Sequence, residues 1–348
     1  MASGRRRASV LAGVGSFLPP RVVSNDELAA RLDSSDEWIR SRTGIAQRHF
    51  ADPGTSTSDV AVRAGERALK SSGLSEVDVV VVATTTPDRP CPGTAPTVAT
   101  RLGLTGVGAF DVAAVCTGFL YGLAAADGMI ASGVADRVLV IGAETYSSIL
   151  NPADRSTSVI FGDGAGALVL RAGDPDEPGA VGAFDLGSDG DGRDLITVRA
   201  GGSEQRLSGL PPLPGDEYFS MAGKEVFWQA VQRMRSSCKA VLDRTGWTAG
   251  DVDWLVSHQA NARIVTSLAD ALLIDRDRAI SNIASVGNTA AASIPLAIDQ
   301  AHAEDRLRTG DRLLLTAFGG GLTWGSTVLT WPDLRAEQPG WCAGHHSG

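Results

Sequence analysis

Cys116 stands in the stretch Ala109-Phe-Asp-Val-Ala-Ala-Val-Cys-Thr-Gly-Phe-Leu-Tyr-Gly-Leu123, where an extended apolar run ends and a small-residue helical run begins. That junction places the sulfur at a helix N-terminus, where free backbone N–H groups and the helix dipole favour thiolate over thiol. A thiolate is a nucleophile that can carry an acyl group as a thioester. The alternative is an inert buried cysteine packed as a small hydrophobe. Two other residues stand at comparable junctions. His258 ends the predicted strand Trp254-Leu-Val-Ser-His, and Asn288 lies in Val286-Gly-Asn-Thr, just ahead of a second small-residue helix. Taken singly, a histidine is more often structural, and an asparagine after glycine is a turn or helix cap.

An internal duplication relates these three positions. A helix, a glycine turn and an apolar strand run from Ala61 to Thr86 and again from Val231 to Gln259, with Gly73 and Gly246 in matching places. Gly133-Val-Ala-Asp-Arg-Val-Leu-Val-Ile-Gly likewise matches Thr309-Gly-Asp-Arg-Leu-Leu-Leu-Thr-Ala-Phe, with Arg137 and Arg312 175 residues apart. Two matches at nearly one offset indicate a repeat of half the chain. Each half alternates helices with near-continuous apolar strands, the pattern of a sheet covered on both faces. The repeat sets Cys116 against Asn288, within a residue or so, and His258 against the strand end near Thr85. Two copies packed about a pseudo-twofold axis bring strand ends and helix starts together, and Cys116, His258 and Asn288 can then share one cleft.

The bulk properties narrow the classes. The chain has 348 residues, 43% of them hydrophobic, enough for a large core or two fused ones. A net charge of −9 argues against general nucleic-acid binding. Cys91, Cys116, Cys238 and Cys342 are widely spaced, so neither a disulfide framework nor a zinc site is expected. The N-terminal apolar segment is short and broken by Gly and Pro, and reads as a first strand from Ala8 rather than a signal peptide. No run of 18 or more apolar residues is read, so no membrane span is expected, and a cytoplasmic location follows as the expectation. The glycine-rich turns Phe161-Gly-Asp-Gly and Phe318-Gly-Gly-Gly lack a P-loop lysine and lead into strands, which argues against nucleotide phosphate binding.

In this order, several segments resemble the β-ketoacyl-acyl-carrier-protein synthase III family. They are Asp33-Ser-Ser-Asp-Glu-Trp-Ile-Arg-Ser-Arg-Thr-Gly-Ile, Phe110-Asp-Val-Ala-Ala-Val-Cys-Thr-Gly-Phe, Pro152-Ala-Asp-Arg, Phe161-Gly-Asp-Gly-Ala-Gly-Ala, Met221-Ala-Gly-Lys-Glu-Val-Phe, His258-Gln-Ala-Asn-Ala-Arg-Ile, Gly287-Asn-Thr and Phe318-Gly-Gly-Gly-Leu-Thr-Trp-Gly. The likeness runs from about Val10 to Trp331. It implies an α/β, thiolase-like five-layered αβαβα fold built from two duplicated halves, residues 8–175 and 176–331, with 332–348 as a flexible tail, and it implies a homodimer. The implied reaction has two stages: Cys116 takes an acyl group from acyl-CoA, then malonyl-acyl-carrier protein loses carbon dioxide and its carbanion attacks the thioester. The product is a 3-oxoacyl-carrier protein, and acyl-CoA is a substrate, so no cofactor is expected.

The resemblance also implies roles. His258 and Asn288 supply two N–H donors to the enolate formed by decarboxylation, each worth ~2.7–4 kcal/mol in comparable oxyanion holes. His258 is also placed to assist thiolate formation. Backbone N–H groups of Cys116 and Gly320 serve the acyl-transfer oxyanion, and Phe318 walls the site from water. Trp38, Arg42 and Arg155 match positions that hold coenzyme A, where an indole and a guanidinium sandwich adenine. Gln259, Ala260, Asn261, Ala262 and Arg263 match a carrier-docking segment. The family's other docking lysines fall at Trp228 and at Asp270-Ala271, with Lys224, Arg233, Arg235 and Lys239 nearby as substitutes. Cys91 stands where the family often has a phenylalanine that reaches across the dimer to close the acyl pocket, so primers larger than acetyl are expected to be accepted. Two alternatives remain on the same scaffold: an acyltransferase to a hydroxyl or amine acceptor without decarboxylation, and a non-catalytic partner subunit.

Overall fold

The computed structural model describes residues 7–334. Most of the expected tail, including Cys342, His345 and His346, lies outside the described residues. Two sheets form the frame. The first has the strand order Ala8–Phe17, Gly164–Gly173, Arg137–Glu144, Val79–Ala83, Gly108–Val112. The second has the order Val181–Ser188, Thr323–Thr330, Arg312–Gly319, Trp254–Ser257. The orders match strand for strand, and the second sheet's fifth position is reduced to one parallel bridge between Leu255 and Ala279.

The strand Val79–Ala83 shows why the layers stack. Its four valines are β-branched and buried on both sides, as a central strand requires. Val79 and Val81 face one core, while Val80 and Val82 face another. The second of these cores packs the helix Thr57–Ser72 on the outer face. The first encloses the helices Gly118–Ser132 and Ser293–Ala303 between the two sheets. The helices Gly223–Thr245 and Ala262–Leu272 cover the far face of the second sheet. The sequence is helix, sheet, helix, sheet, helix: five layers.

The helical run Val115–Ser132 is long and apolar enough by length and composition to cross a membrane, although Thr117, Asp127 and Ser132 interrupt it and it is half buried in the fold. It passes because a helix pressed between two sheets must be apolar nearly all round.

The structure also corrects the repeat register. The strands beginning at Val79 and Trp254 are equivalent, as are the turns Val115–Thr117 and Ala290–Ala292 and the helices beginning at Gly118 and Ser293. Each pair is 175 residues apart. Cys116 therefore matches Ala291, and Asn288 lies three residues upstream, in the loop before the turn. His258 matches Ala83, two residues short of Thr85. Gly142 makes the close join between the halves, since a Cβ there would lie 2.3 Å from the Ala291 carbonyl oxygen.

Candidate active site

Cys116 sits in the middle of the 3-10 turn Val115–Thr117, which opens the helix Gly118–Ser132. Val115 has φ 47°, and its counterpart Ala290 has φ 43°. Non-glycine residues adopt this region at a cost of about 1–3 kcal/mol, held by surrounding packing. The two turns pack against each other, so each half fixes the other's bend. Gly319 completes the setting: a Cβ there would lie 2.8 Å from the Cys116 backbone nitrogen. Only glycine lets the strand Arg312–Gly319 pass so near the nucleophile. The sequence reading named Gly320, the next residue, and did not single out Gly319.

The expected thiolate is not the resting state. Burial pushes the Cys116 thiol well above its ordinary value, and the buried Glu144 carboxylate pushes the same way, while the residue's own backbone N–H opposes them. Desolvation outweighs the helix terminus. Glu144 itself is fully buried and pushed up to about 7 by that burial, against hydrogen bonds from the Thr86 hydroxyl, the Thr85 amide and the Ala291 amide. This carboxylate is not legible in the sequence, because its neighbours come from the loop after the strand Val79–Ala83 and from the turn Ala290–Ala292 in the other half.

His258 follows the strand Trp254–Ser257, its amide donating to the Thr316 carbonyl at 2.8 Å. Burial pushes its imidazole down to about 3, so the ring is neutral. Asn288 is pinned by backbone bonds on both sides: its amide donates to Ile160 O at 2.9 Å, and its carbonyl accepts from Gly162 N at 3.0 Å. The Asn288 Oδ1 accepts from the Ala290 amide at 2.9 Å, which leaves Nδ2 as the outward donor. Cys116, His258, Asn288 and Phe318 line one chamber of about 30 Å³, closed by apolar side chains that include Ile196, Met221 and Ile264. The repeat thus brings the three sequence-predicted residues together, though not through the register first assigned.

Beside the sulfur, Tyr146, Phe161 and Phe219 form a tight aromatic cluster. Tyr146 stacks on Phe161 at 4.4 Å, and Phe219 meets both rings edge-on at 5.2 and 4.9 Å. All three are buried in one cluster with Cys116 and Leu150. Cys91, by contrast, is exposed and does not line its own subunit's chamber. Within the subunit, these aromatic rings occupy the volume next to the nucleophile.

The coenzyme A candidates converge at the surface. Trp38 lies on the helix Asp36–Thr43, capped by Ser35. The Arg155 guanidinium lies 4.8 Å from the indole centroid and that of Arg42 6.0 Å. Arg155 also binds the Asp33 carbonyl and lies 3.6 Å from its carboxylate. It rests directly on the indole, so a base entering the stack must displace it. Asn261 Nδ2 donates to Arg42 O at 3.0 Å and Arg263 Nη2 to Ser41 O at 2.6 Å, tying this helix to the helix Ala262–Leu272.

The docking segment is divided by burial. Gln259 is fully buried, its amide bonded to the Ser257 and Ile280 carbonyls and its oxygen to Ser281, so it cannot meet a partner and acts as a brace. Ala260 lines the chamber, Asn261 caps the helix, and Ala262 packs close to Gly44. Only Arg263 presents an exposed charge. Arg233 is also removed as a docking residue: it pairs with Asp189 at 2.8 Å and stacks on Trp324 at 4.4 Å.

Family models described as 3-oxoacyl-[acyl-carrier-protein] synthase III and its C-terminal part match residues 110–190 and 242–331. A Streptomyces coelicolor protein named beta-ketoacyl-[acyl-carrier-protein] synthase III 3 is 68% identical over 94% of this chain and 98% of its own length. The crystal structure of the Pseudomonas aeruginosa synthase III superposes with a TM-score of 0.89 at 54% identity, covering 94% of this chain and 99% of that one. The priming β-ketosynthase of the R1128 polyketide pathway gives 0.88 at 35% identity, covering 96% and 99%. With Cys116, His258 and Asn288 lining one largely apolar chamber, and this likeness along nearly the whole length, the chain belongs to the β-ketoacyl-acyl-carrier-protein synthase III family of initiating condensing enzymes.

Proposed function

We propose that Cys116 accepts the acyl group from acyl-CoA and that His258 and Asn288 stabilise the enolate formed from malonyl-acyl-carrier protein. The carrying observation is the convergence of these three side chains on one apolar chamber. As a catalyst the protein is an acyltransferase, moving the acyl group first from sulfur to sulfur and then to carbon. In the first stage the Cys116 S–H bond breaks, a new thioester forms, and coenzyme A leaves as its thiol, so no net proton is lost. This balance suits a nucleophile that rests as the thiol. The Cys116 and Gly320 amides are assigned to the tetrahedral oxyanion and Phe318 to exclusion of water. In the second stage the malonyl carboxylate leaves as carbon dioxide, its bonding pair moves onto the thioester oxygen, and the two donors hold that charge; the enolate carbon then bonds to the acyl carbon, the Cys116 S–C bond breaks, and the released sulfur takes up one proton from solvent to return to the thiol. An apolar chamber favours decarboxylation, because a carboxylate buried there is poorly solvated. No resident cofactor is required for these steps. Intact-protein mass spectrometry with mixed acyl-CoAs tests loading. Carbon dioxide release and a two-carbon gain on adding malonyl-carrier protein test condensation; transfer to a hydroxyl or amine without them would replace this reading.

Trp38, Arg42 and Arg155 are assigned to coenzyme A, and the unpaired edge of the strand Gly108–Val112 supports a homodimer in which two such edges join. The cytoplasm is the proposed location. For the carrier, the helix Gly223–Thr245 offers a substitute face: Lys224, Trp228, Arg235 and Lys239 are all exposed and fall within one narrow arc of its surface. In a chain of net charge −9, this face suits an acidic carrier helix. The double variant Lys224→Glu, Arg235→Glu is expected to raise KM for malonyl-carrier protein roughly tenfold at low salt and to leave loading from acyl-CoA unchanged. Steady-state kinetics across a salt series checks this.

Primer size is assigned to the aromatic cluster. Phe219→Val is expected to shift kcat/KM toward hexanoyl-CoA over acetyl-CoA by at least about tenfold, since ~1–3 kcal/mol of discrimination follows from a change of pocket volume. A parallel series with acetyl-, isobutyryl- and hexanoyl-CoA measures it, and an unchanged ratio would move the determinant elsewhere.

A further inference from the structure

We propose that Ser293 is a positioning residue that locks His258 in the tautomer carrying its proton on Nε2. His258 Nδ1 lies 2.7 Å from Ser293 Oγ. Ser293 opens the helix Ser293–Ala303 and is 1% exposed, so water does not compete for its hydroxyl. The Gln259 amide approaches the same oxygen at 3.4 Å as a donor. That N–H takes up one of the two lone pairs of Oγ, and Nδ1 is the acceptor within reach of the hydroxyl proton, so the serine is fully used when it donates to Nδ1. With Nδ1 accepting, the neutral ring's single proton sits on Nε2, which faces the chamber. The opposite tautomer would turn Nδ1–H toward Oγ, leave the serine proton without the acceptor it has here, and present a bare lone pair to a developing negative oxygen.

The brace reaches further back. The Gln259 side-chain Nε2 donates to Ser257 O at 2.7 Å and its Oε1 accepts from Ser281 Oγ at 2.9 Å, so the residue whose backbone N–H meets Ser293 is itself held. Histidine and serine come from different elements, 35 residues apart. The lock has a consequence for the first half-reaction. An Nε2 that already carries a proton cannot take one from Cys116, so His258 serves decarboxylation and does not serve as the base for loading. The proposed lock thus stands against a role for His258 in thiolate formation.

The inference rests on the reading of His258 as an enolate donor, and its test separates the two. In ¹⁵N-histidine-labelled wild-type protein without substrate, assigned by comparison with His258→Gln, the His258 ring should show the Nε2–H tautomer. In Ser293→Ala the ring should become a mixture of tautomers. Condensation and malonyl decarboxylation should fall about 10–100-fold, the range seen when a partner that orients a functional histidine is lost, while acyl loading stays within about twofold. Ser293→Thr, which keeps the hydroxyl, should restore both the tautomer and the rate. An Nδ1–H ring in the wild type overturns the lock even if Ser293→Ala proves unstable. So does an unchanged ring and rate in Ser293→Ala. A wild type that loads but does not condense overturns the enolate reading instead, whatever the spectrum.

Discussion

Cys116→Ala is expected to give no acyl adduct by intact mass spectrometry and to lower condensation at least about a thousandfold, because no other group in the chamber can carry a thioester. The donors are separate from the sulfur, so slow malonyl decarboxylation should survive in this variant. A retained adduct would assign the nucleophile to another residue. The wild-type sulfur carries a second, pH-dependent expectation. Burial and Glu144 raise the thiol above its ordinary 9.0, so the neutral form dominates and the thiolate fraction grows with pH. Alkylation of Cys116 by iodoacetamide should therefore climb about tenfold per pH unit from about pH 7 to about pH 9, without a plateau. A plateau near neutrality would mean that the helix terminus overcomes desolvation after all.

Asn288→Ala is expected to separate the half-reactions. Loading should stay within about twofold, since the acyl-transfer oxyanion is assigned to backbone amides. Decarboxylative condensation should fall about 10²–10³-fold, the effect of losing one preorganised donor. The remaining donor should be insensitive to acid over the usual working range. With the His258 imidazole pushed down to about 3, its neutral form persists from about pH 5 to about pH 8, and the condensation rate should show no histidine inflection there. Single-turnover loading and carbon dioxide release, each followed across pH, check both statements. Equal losses in the two half-reactions would mean that Asn288 supports the chamber's shape and not its charge.

Both expectations depend on the same physical trade: an apolar chamber strengthens hydrogen bonds to a developing anion, and it also suppresses charge on the resting groups. Cys116 and His258 are each neutral for this reason. The chamber's aromatic side narrows the space beside the sulfur, and the Trp38 helix is tied to the helix that carries Arg263.

The sequence alone singled out the residues to which the chemistry is assigned and the class of fold that holds them. Cys116, His258 and Asn288 stand at junctions between an apolar run and a turn or small-residue helix, and such junctions are written in consecutive residues. The half-chain repeat was legible for the same reason, since paired motifs at one spacing survive without coordinates. What those residues experience was decided only in three dimensions. The match of Cys116 to Ala291, three residues from the first alignment, depends on where each strand ends and each turn begins. The neutral thiol depends on Glu144 and on burial, and burial is a sum over neighbours from both halves. The loss of Gln259 and Arg233 as docking residues, the aromatic cluster beside the sulfur and the Ser293 contact to His258 all join residues distant in the chain. Periodicity and spacing report what is adjacent along the backbone; desolvation, ring packing and side-chain pairing act across space, and only the folded chain specifies them.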